Sequence, residues 1–320
     1  MVLILGDDDV ARLAPMDEAI DVVEGAFRQQ GLGSIRMPPR IHLSFGDAPG
    51  YLRLMPAAMP EIGYAGMKTY TPTRRASFRF TVLLYDIKTG ELLSIMNANR
   101  LGQIRTGAAS GVATKFLARS DSEVVGILGT GFQAESQLEA ICMVRKIKAF
   151  KAYSPNQEHR QTFCDKMAET LGVEGIVADS PEEVVKDADI AITATTSREP
   201  VLEGGWLEKG VHVNAIGANF PAHREIDDAV VSTAKIVVDD LEQALLEAGD
   251  IIIPMKKRII SQNQIHAELG EIVVGKKTGR TSHEEITLFK SLGIAIEDVA
   301  LASRVYEKAV KEGIGREIAL

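Results

Sequence analysis

Four basic residues in the first third of the chain stand in settings that suggest chemistry. Arg40, Arg53 and Lys68 lie on predicted strands or at their ends, and Arg105 lies among small residues in Gln103-Ile104-Arg105-Thr106-Gly107. Arginine binds a carboxylate through two parallel hydrogen bonds, which suits a substrate with an α-carboxylate. A lysine that is partly desolvated among cations has a lowered pKa and can exchange a proton. These residue types indicate carboxylate binding joined to proton transfer, although a solvated surface charge is the ordinary role of any single one.

A glycine motif follows in the middle of the chain. Val124–Leu128 is a short apolar run typical of a parallel strand covered on both faces. Gly129-x-Gly131-x-x-Ala134 comes directly after it and opens a helical pattern. Gly129 allows the tight turn, Gly131 allows close approach of a pyrophosphate, and Ala134 allows close packing of helix and strand. The motif therefore predicts a dinucleotide site, the alternative being a glycine turn that only packs.

The end of the second strand bears on which nicotinamide cofactor is used. NAD-selective domains commonly carry an acid there for the ribose 2′-hydroxyl. This chain has Ser154-Pro155-Asn156, the first acid is Glu158, and Arg160 follows one turn later. Without that carboxylate, the repulsion that excludes a 2′-phosphate is lost, which favours NADPH or dual use of NADH and NADPH. The alternative is that Ser154 and Asn156 only cap the next helix, and both roles are compatible.

The elements before the glycine motif differ from those after it. Met16–Gln30 has the periodicity of an amphipathic helix, with Gly31 as its stop. Residues 38–98 contain short strand-like runs, with Lys88-Thr89-Gly90 as a hairpin turn, and predict an antiparallel sheet. A helix over Arg100–Leu117 leads into the glycine strand.

After the glycine motif, strands and helices alternate, as βαβ units require. The further predicted strands are Ala149–Tyr153, Ile176–Ala178, Ile190–Ala194, Val211–Ile216 and Ile236–Asp239. The last long helical pattern covers Glu284–Val310 and is interrupted at Gly293.

The sequence thus predicts an α/β fold in which a Rossmann-type doubly wound parallel sheet is inserted in a discontinuous α+β domain. Residues 1–118 with 292–320 would form the substrate-binding domain, and residues 119–291 the dinucleotide-binding domain.

Composition excludes several classes of protein. The 320 residues carry a net charge of −8 with a pI near 5.4 and no basic block, so nucleic acid is not an expected partner. Cys142 and Cys164 lie in helical patterns without metal spacing, and the histidines are scattered, so no metal site is expected. The N-terminal apolar run lacks a basic flank and is too short to span a membrane, which predicts a first strand and a cytoplasmic protein.

The chain resembles the ornithine cyclodeaminase/mu-crystallin family over nearly its whole length. The matching segments are Met37-Pro38-Pro39-Arg40, Arg53-Leu54-Met55-Pro56, Gly66-Met67-Lys68, Ile104-Arg105-Thr106-Gly107-Ala108-Ala109, Gly129-Thr130-Gly131-Phe132-Gln133, Ile216-Gly217-Ala218-Asn219, Arg224-Glu225-Ile226-Asp227 and Glu285-Ile286-Thr287-Leu288-Phe289-Lys290-Ser291. The family includes cyclodeaminases, alanine dehydrogenases, reductases of cyclic imino acids and non-enzymatic binding proteins.

The resemblance implies roles for residues at matching positions. Arg40, Lys68 and Arg105 would hold the substrate carboxylate, with Lys68 as the proton donor or acceptor. It also implies a homodimer formed through the sheet of the first domain. The residues it places around the cofactor, together with the two motif glycines, are Thr106, Gly129, Gly131, Phe132, Gln133, Ser154, Pro155, Asn156, Gly217, Ala218, Arg224 and Ser291.

Two departures from the cyclodeaminase pattern narrow the expected reaction. Cyclodeaminases carry a glutamate for the distal amine of ornithine where this chain has Arg53, and an arginine would repel that amine. A catalytic aspartate of cyclodeaminases and some alanine dehydrogenases is replaced by Asn219, whose amide cannot act as a general base. Asn219 can still orient the substrate or a water molecule.

Reduction of an imine needs only a carboxylate clamp, a hydride donor and a proton donor. The expected activity is therefore an NAD(P)H-dependent reductase of a small α-imino acid, foremost Δ1-pyrroline-2-carboxylate to L-proline. The alternatives are an alanine dehydrogenase acting on pyruvate and ammonia, then a cyclodeaminase, then a non-catalytic NADPH-dependent binding protein.

Overall fold

The structure is a computed structural model that describes residues 1–48, 50–71 and 79–319. The chain divides into two compact units, one of Met1–Ala108 with Gly293–Leu320 and the other of Ala109–Leu292. Residues 49 and 72–78 of the predicted antiparallel segment lie outside the described residues. The substrate-binding and dinucleotide-binding roles assigned to the two domains stay predictions.

Strands and helices are numbered along the chain. The strands are β1 (Val2–Leu5), β2 (Ile41–Ser44), β3 (Tyr51–Met59), β4 (Tyr64–Tyr70), β5 (Phe80–Asp86), β6 (Leu92–Asn97), β7 (Val124–Leu128), β8 (Ala149–Tyr153), β9 (Glu174–Val177), β10 (Ile190–Thr193), β11 (His212–Ala215), β12 (Lys235–Val238), β13 (Ile265–Glu268), β14 (Thr287–Lys290) and β15 (Arg316–Ile318). The α-helices are α1 (Asp7–Leu13), α2 (Met16–Leu32), α3 (Asn99–Leu117), α4 (Phe132–Val144), α5 (Gln157–Leu171), α6 (Pro181–Val185), α7 (Asp228–Thr233), α8 (Leu241–Glu247), α9 (Gly249–Lys256), α10 (Leu269–Val273) and α11 (Ala295–Glu312).

The first unit is built on a sheet with the strand order β15-β1-β6-β5-β4-β3-β2. Neighbours from β2 to β6 pair antiparallel, which confirms the predicted sheet, and the carboxylate of Asp86 accepts from the backbone of Lys88 and Thr89 in the predicted hairpin turn. Buried residues alternate along β3 to β6, because one face of β3, β4 and β5 packs under α11 and β6 packs against α1. Lys68 and Arg53 lie on that buried face.

The second unit contains a parallel sheet with the order β13-β12-β14-β11-β10-β7-β8-β9. The chain runs from β7 outwards through β8 to β9, then returns to β10 on the other side of β7. This reversal is the switch point of a doubly wound sheet, so the predicted fold class is confirmed. The predicted strands agree with β7 to β12 with ends shifted by at most two residues.

Two element boundaries were predicted wrongly. The second helix does not stop at Gly31, which is buried inside α2; Gly33, with φ +76°, ends it in the left-handed conformation. The helical pattern over Glu284–Val310 covers two elements, since its first part forms the strand β14. All of β14 is buried between β11 and β12, and a fully buried strand has no polar face to distinguish it from a helix.

The two cysteines are packed within helices of the second unit, as predicted. Cys142 lies in α4 and Cys164 in α5. Burial raises the pKa of both thiols to about 11, so they stay protonated near neutral pH. Among the described helices, none is both long and apolar enough to cross a membrane.

Candidate functional site

Lys68 projects from the buried face of β4 in the first unit. On that sheet it is opposite Met55 of β3 and Val82 of β5, and its side chain is 3% exposed. Its Nζ lies 2.7 Å from Oδ2 and 3.0 Å from Oδ1 of Asp298. The lysine is therefore removed from water and held by one carboxylate.

Arg105 reaches the same carboxylate from α3. Its Nε lies 3.0 Å from Oδ1 of Asp298, and its Nη1 lies 2.6 Å from Oε2 of Glu297. Glu297 and Asp298 belong to the first turn of α11, where negative charge is favoured by the helix dipole. Asp298 thus joins Lys68 and Arg105 into one buried ionic cluster.

The pKa values of the two cations of this cluster, Lys68 and Arg105, are shifted in opposite directions. Burial lowers the pKa of Lys68 to about 7; the charge of Arg105 adds to the shift, Asp298 opposes it, and Arg40 lowers it further. Burial alone would lower the pKa of Arg105, but the charges of Asp298 and Glu297 outweigh it and raise the pKa above its ordinary value. Arg105 therefore remains a fixed positive charge, whereas Lys68 can gain or lose a proton near neutral pH.

Arg40 and Arg53 are also buried in the first unit. Nη2 of Arg40 donates to the carbonyl of Gly293 at 3.0 Å, directly ahead of α11. Gly293 has φ +74°, and a Cβ there would collide with the guanidinium of Arg105, so Arg40 and Arg105 approach the same turn. The structure thus brings Arg40, Lys68 and Arg105 together, as the carboxylate-clamp hypothesis requires.

Arg53 occupies the next row of the same sheet face. It is opposite Tyr70 in the β3–β4 register, and its Nη1 donates to the Tyr70 hydroxyl at 3.0 Å. Its guanidinium also lies 5.1 Å from the centre of the Tyr51 ring. Arg53 is therefore a fixed, buried cation on the face that carries Lys68.

Sequence reasoning missed Glu297 and Asp298. A usable signal was present, because a group of buried cations needs carboxylates from the same unit. The pair Glu297-Asp298 follows Gly293 within one helical turn and is the acidic start of a predicted helix.

The glycine motif forms a strand–turn–helix in the second unit. Gly129 follows β7 with φ +100°, and a Cβ there would collide with the carbonyl of Ala194. Gly131 is the N-cap of α4, and a Cβ there would meet no atom within 4 Å. The turn therefore needs glycine at the first position and leaves open space at the second, which fits close approach of a phosphate to the helix start.

This turn borders a cavity of about 760 Å³ that lies within the second unit. Of the predicted cofactor residues, Gly129, Gly131, Ser154, Pro155 and Asn156 line it. The other lining residues come from the same turn, the ends of β8 and β10, and nearby loops: Leu128, Thr130, Tyr153, His159, Pro181, Ala194, Thr195, Thr196, Ser197, Pro200, Val201, Glu203 and Trp206.

The end of β8 forms a small polar network at this cavity. The Thr130 hydroxyl donates to Ser154 Oγ at 2.9 Å, and the Asn156 side chain accepts from the backbone N–H of His159 at 2.9 Å as the N-cap of α5. Arg160 donates instead to the carbonyl of Ala178 at 2.7 Å and packs on the Tyr153 ring. The capping alternative is thus observed for Asn156, while its contact with a ribose stays a prediction.

The remaining predicted site residues are placed separately. Thr106, in the first unit, donates to the carbonyl of Gly102 one turn earlier in α3. In the second unit, Arg224 donates to the carbonyl of Ile226 and pairs with Asp228, and Ser291 is buried near Asp239. Phe132 and Gln133 begin α4. Gly217, Ala218 and Asn219 follow β11 in one turn.

These two units define a protein with a Rossmann-type sheet and a separate sheet that carries buried basic residues. The chain belongs to the ornithine cyclodeaminase/mu-crystallin family, whose model matches residues 2–313.

Several members of the family are closely similar to this chain. Alanine dehydrogenase of Archaeoglobus fulgidus is 42% identical over 326 residues, covering 99% of this chain and 98% of the relative. The structure of Thermococcus litoralis Δ1-pyrroline-2-carboxylate reductase in complex with NADH and L-proline matches with a TM-score of 0.96 and 41% identity, over 99% of this chain and 100% of the other. An archaeal alanine dehydrogenase dimer with bound NAD matches with a TM-score of 0.94 and 41% identity, over 100% and 99%.

The ionic cluster leads to a first testable prediction, on the titration of Lys68. In protein with ¹³C-labelled lysine side chains, the Lys68 resonance, assigned with Lys68→Arg, should titrate with a midpoint at about 7. Asp298→Asn removes the carboxylate that favours the ammonium, so the midpoint should move to lower pH. Glu297→Gln, which alters the carboxylate that contacts Arg105, is the matched control and should shift the midpoint less.

The same spectra contain an internal reference. Lys209 is exposed and paired with Glu284, which raises its pKa, so its resonance should titrate at high pH. A Lys68 resonance that does not titrate below about pH 9 would contradict the burial argument.

Proposed function

We propose that this chain is an NAD(P)H-dependent reductase of small α-imino acids, acting foremost on Δ1-pyrroline-2-carboxylate to give L-proline. The observation that carries the proposal is the buried Lys68, with a pKa of about 7, which shares the carboxylate of Asp298 with the guanidinium of Arg105, a group that stays charged. Similarity to the Thermococcus litoralis reductase, at 41% identity over nearly the full length of both chains, supports the same substrate class.

The charges of the cluster suit an anionic substrate. Arg40, Arg53, Arg105 and protonated Lys68 bring four positive charges, and the carboxylates of Glu297 and Asp298 offset two of them. The net positive charge that remains attracts a carboxylate. In this proposal Arg40 and Arg105 bind the α-carboxylate of the imino acid, with Arg53 on the same sheet face.

The second unit has features that fit a nicotinamide dinucleotide. The turn at Gly129–Gly131, the open space at Gly131 and the cavity beside them are suited to a pyrophosphate and an adenosine. When bound, the reduced cofactor supplies the hydride that the imine carbon needs. We propose the same surroundings for it as the family resemblance implies, including Thr106, Gln133, Gly217, Ala218, Arg224 and Ser291.

Lys68 supplies the other half of the reduction. Its ammonium group donates a proton to the imine nitrogen as the C=N bond becomes CH–NH, and Asp298 keeps the neutral amine in place for reprotonation. A pKa near 7 keeps a substantial part of the lysine protonated at neutral pH while leaving the proton transferable. Asn219 would orient the substrate or a water molecule by hydrogen bonding.

Alanine dehydrogenase activity is the second candidate. The relative from Archaeoglobus fulgidus is an alanine dehydrogenase and is 42% identical to this chain. The imine formed from pyruvate and ammonia needs the same carboxylate clamp, hydride and proton. Cyclodeamination of ornithine is disfavoured, because the buried cation of Arg53 would repel the distal ammonium group.

We propose that the active protein is a cytoplasmic homodimer formed through the sheet of the first unit. The edge strand β2 and the residue after it expose apolar side chains, with Ile41 45%, Leu43 55% and Phe45 40% exposed. A solvent-exposed apolar edge is a typical site for association with a second chain. The related archaeal alanine dehydrogenase is a dimer, which supports a dimeric state for this chain.

Substrate choice gives the second prediction. Oxidation of NADH and NADPH by the purified protein should be much faster with Δ1-pyrroline-2-carboxylate than with pyruvate plus ammonia under identical conditions. The reverse order would establish alanine dehydrogenase activity on the same clamp. Ammonia release from ornithine without net change in the cofactor would instead overturn the reductase proposal.

The third prediction concerns Lys68 itself. Lys68→Ala should lower kcat/KM for the imino acid by roughly 10²–10⁴-fold, the usual contribution of a general acid, while the Kd for the cofactor stays nearly unchanged. Lys68→Arg keeps the positive charge but cannot release a proton near neutral pH, so it should be impaired as well. Full activity of Lys68→Ala would remove the lysine from the mechanism.

For the cofactor, we propose NADPH, or dual use of NADH and NADPH. The support is the sequence Tyr153-Ser154-Pro155-Asn156 at the end of β8, where NAD-selective domains place an acid. Arg160 does not add to this support, because its guanidinium is engaged by Ala178 and Tyr153.

The fourth prediction tests that preference with Asn156→Asp. Aspartate is as good an N-cap as asparagine, so α5 should be retained while a carboxylate is placed at the end of β8. We expect kcat/KM with NADPH to fall by about tenfold or more from repulsion of the 2′-phosphate, and kcat/KM with NADH to hold or rise. Asn156→Ser, which caps without the charge, is the control; equal losses with both cofactors in Asn156→Asp would contradict the proposal.

A further inference from the structure

The carboxylate of Glu225 joins two turns at the carboxyl ends of neighbouring strands in the second unit. Its Oε1 accepts from the N–H and the hydroxyl of Thr195 at 2.6 and 2.8 Å. Its Oε2 accepts from the N–H groups of Gly217 and Ala218 at 2.6 and 3.1 Å and from the Thr193 hydroxyl at 3.0 Å. Glu225 is completely buried, so these hydrogen bonds replace its hydration.

The two turns belong to the part of the sheet where a dinucleotide would bind. Thr193 of β10 is in register with Ala215 of β11, and Thr195 lines the cavity beside the glycine turn. The other turn, Gly217-Ala218-Asn219, contains two predicted cofactor residues and the predicted polar residue of the site. In doubly wound sheets, ligands bind beyond the carboxyl ends of the strands, so Glu225 lies directly behind such a surface.

A buried ion pair between Lys290 and Asp250 holds the same turn from another side. Asp250 accepts from the backbone N–H groups of Glu225 and Ile226 at 2.7 and 3.1 Å. Lys290 lies 2.9 Å from Asp250 and donates to the carbonyl of Ala218 at 2.7 Å. Both backbone groups of Ala218 are thus bound by buried charged side chains, which restricts the conformations of the turn.

Space at this turn is equally restricted. A Cβ on Gly217 would collide with the Glu225 carboxylate and with the carbonyl of Thr195. Turns with a glycine and small side chains are ordinarily adaptable, whereas this one is packed directly on a carboxylate. Preorganised backbone groups bind a ligand without the entropic cost of ordering a loop.

We infer that Glu225 is a positioning residue, which holds the Thr195 turn and the Gly217–Asn219 turn in the arrangement that binds the nicotinamide dinucleotide. The inference rests on the proposed function for the identity of the ligand. Glu225 itself contacts the turns and acts through them.

The fifth prediction tests this role with Glu225→Gln. The amide keeps the shape of the side chain, but its NH₂ group faces N–H and O–H donors and loses the hydrogen bonds on one side. We expect the Kd for NADH, measured by calorimetry without any imino acid, to rise by about tenfold or more. In turnover, the KM for NADH should rise while the KM for the imino acid changes by less than about threefold.

The matched control is Asp189→Asn at the opposite end of the same sheet. The Asp189 carboxylate accepts from the N–H groups of Glu123 and Val124 at 2.7 and 2.9 Å, at the start of β7. Asp189→Asn and Glu225→Gln should both lower thermal stability, because each loses buried or half-buried hydrogen bonds, but only Glu225→Gln should raise the Kd for NADH. A general loss of stability therefore cannot account for a selective effect of Glu225→Gln.

A milder variant keeps the inference testable if Glu225→Gln does not fold. Thr193→Val removes one donor to Glu225, is close to isosteric, and should still raise the Kd for NADH several-fold. A Kd within about twofold of wild type in the folded variants would overturn the positioning role. Because NADH binding is measured without turnover, wild-type protein that binds NADH but reduces no imino acid would refute the proposed function alone.

Discussion

Burial of Lys68 is the constraint on which the first unit depends. A charged lysine is unstable in an apolar interior unless a carboxylate and hydrogen bonds replace its hydration. Asp298 provides both, and it does so while also binding Arg105. The arrangement requires the first turn of α11 to pack on the buried face of β4 and requires α3 to bring Arg105 alongside. The packing of these elements and the lowered pKa of Lys68 therefore both result from the burial of Lys68 against Asp298.

The second unit offers mostly backbone groups to its proposed ligand, a dinucleotide. Its glycine turn leaves helix N–H groups and open space for a phosphate, and no buried cation is needed there. Buried charges lie one layer behind the surface, where Glu225, Asp250 and Lys290 fix the backbone of the turns. The charged side chains of the first unit thus form the proposed substrate site. Those of the second unit hold the backbone of the turns in place.

Elements with a strong local pattern could be predicted from the sequence. Short strand-like runs with the hairpin turn at Lys88-Thr89-Gly90 predicted the antiparallel sheet, and the glycine motif followed by alternating strands and helices predicted the doubly wound parallel one. The pairing of Lys68 with Asp298 spans 230 positions, and no local pattern encodes such a contact. The strand β14 was mistaken for helix for a related reason, because its burial is decided by β11 and β12 rather than by its own residues.

Arg53 and Asn219, which depart from the cyclodeaminase pattern, limit the proton transfers available in the proposed site. Arg105 stays cationic, and the amide of Asn219 does not titrate. Among the residues proposed to bind or convert substrate, Lys68 is then the group that can change its charge near neutral pH. One transferable proton and one hydride suffice to reduce a C=N bond. By the family resemblance, Arg53 and Asn219 replace the residues with which cyclodeaminases bind the distal ammonium group and supply a further base. The proposed site is therefore suited to the reduction of an imine rather than to cyclodeamination.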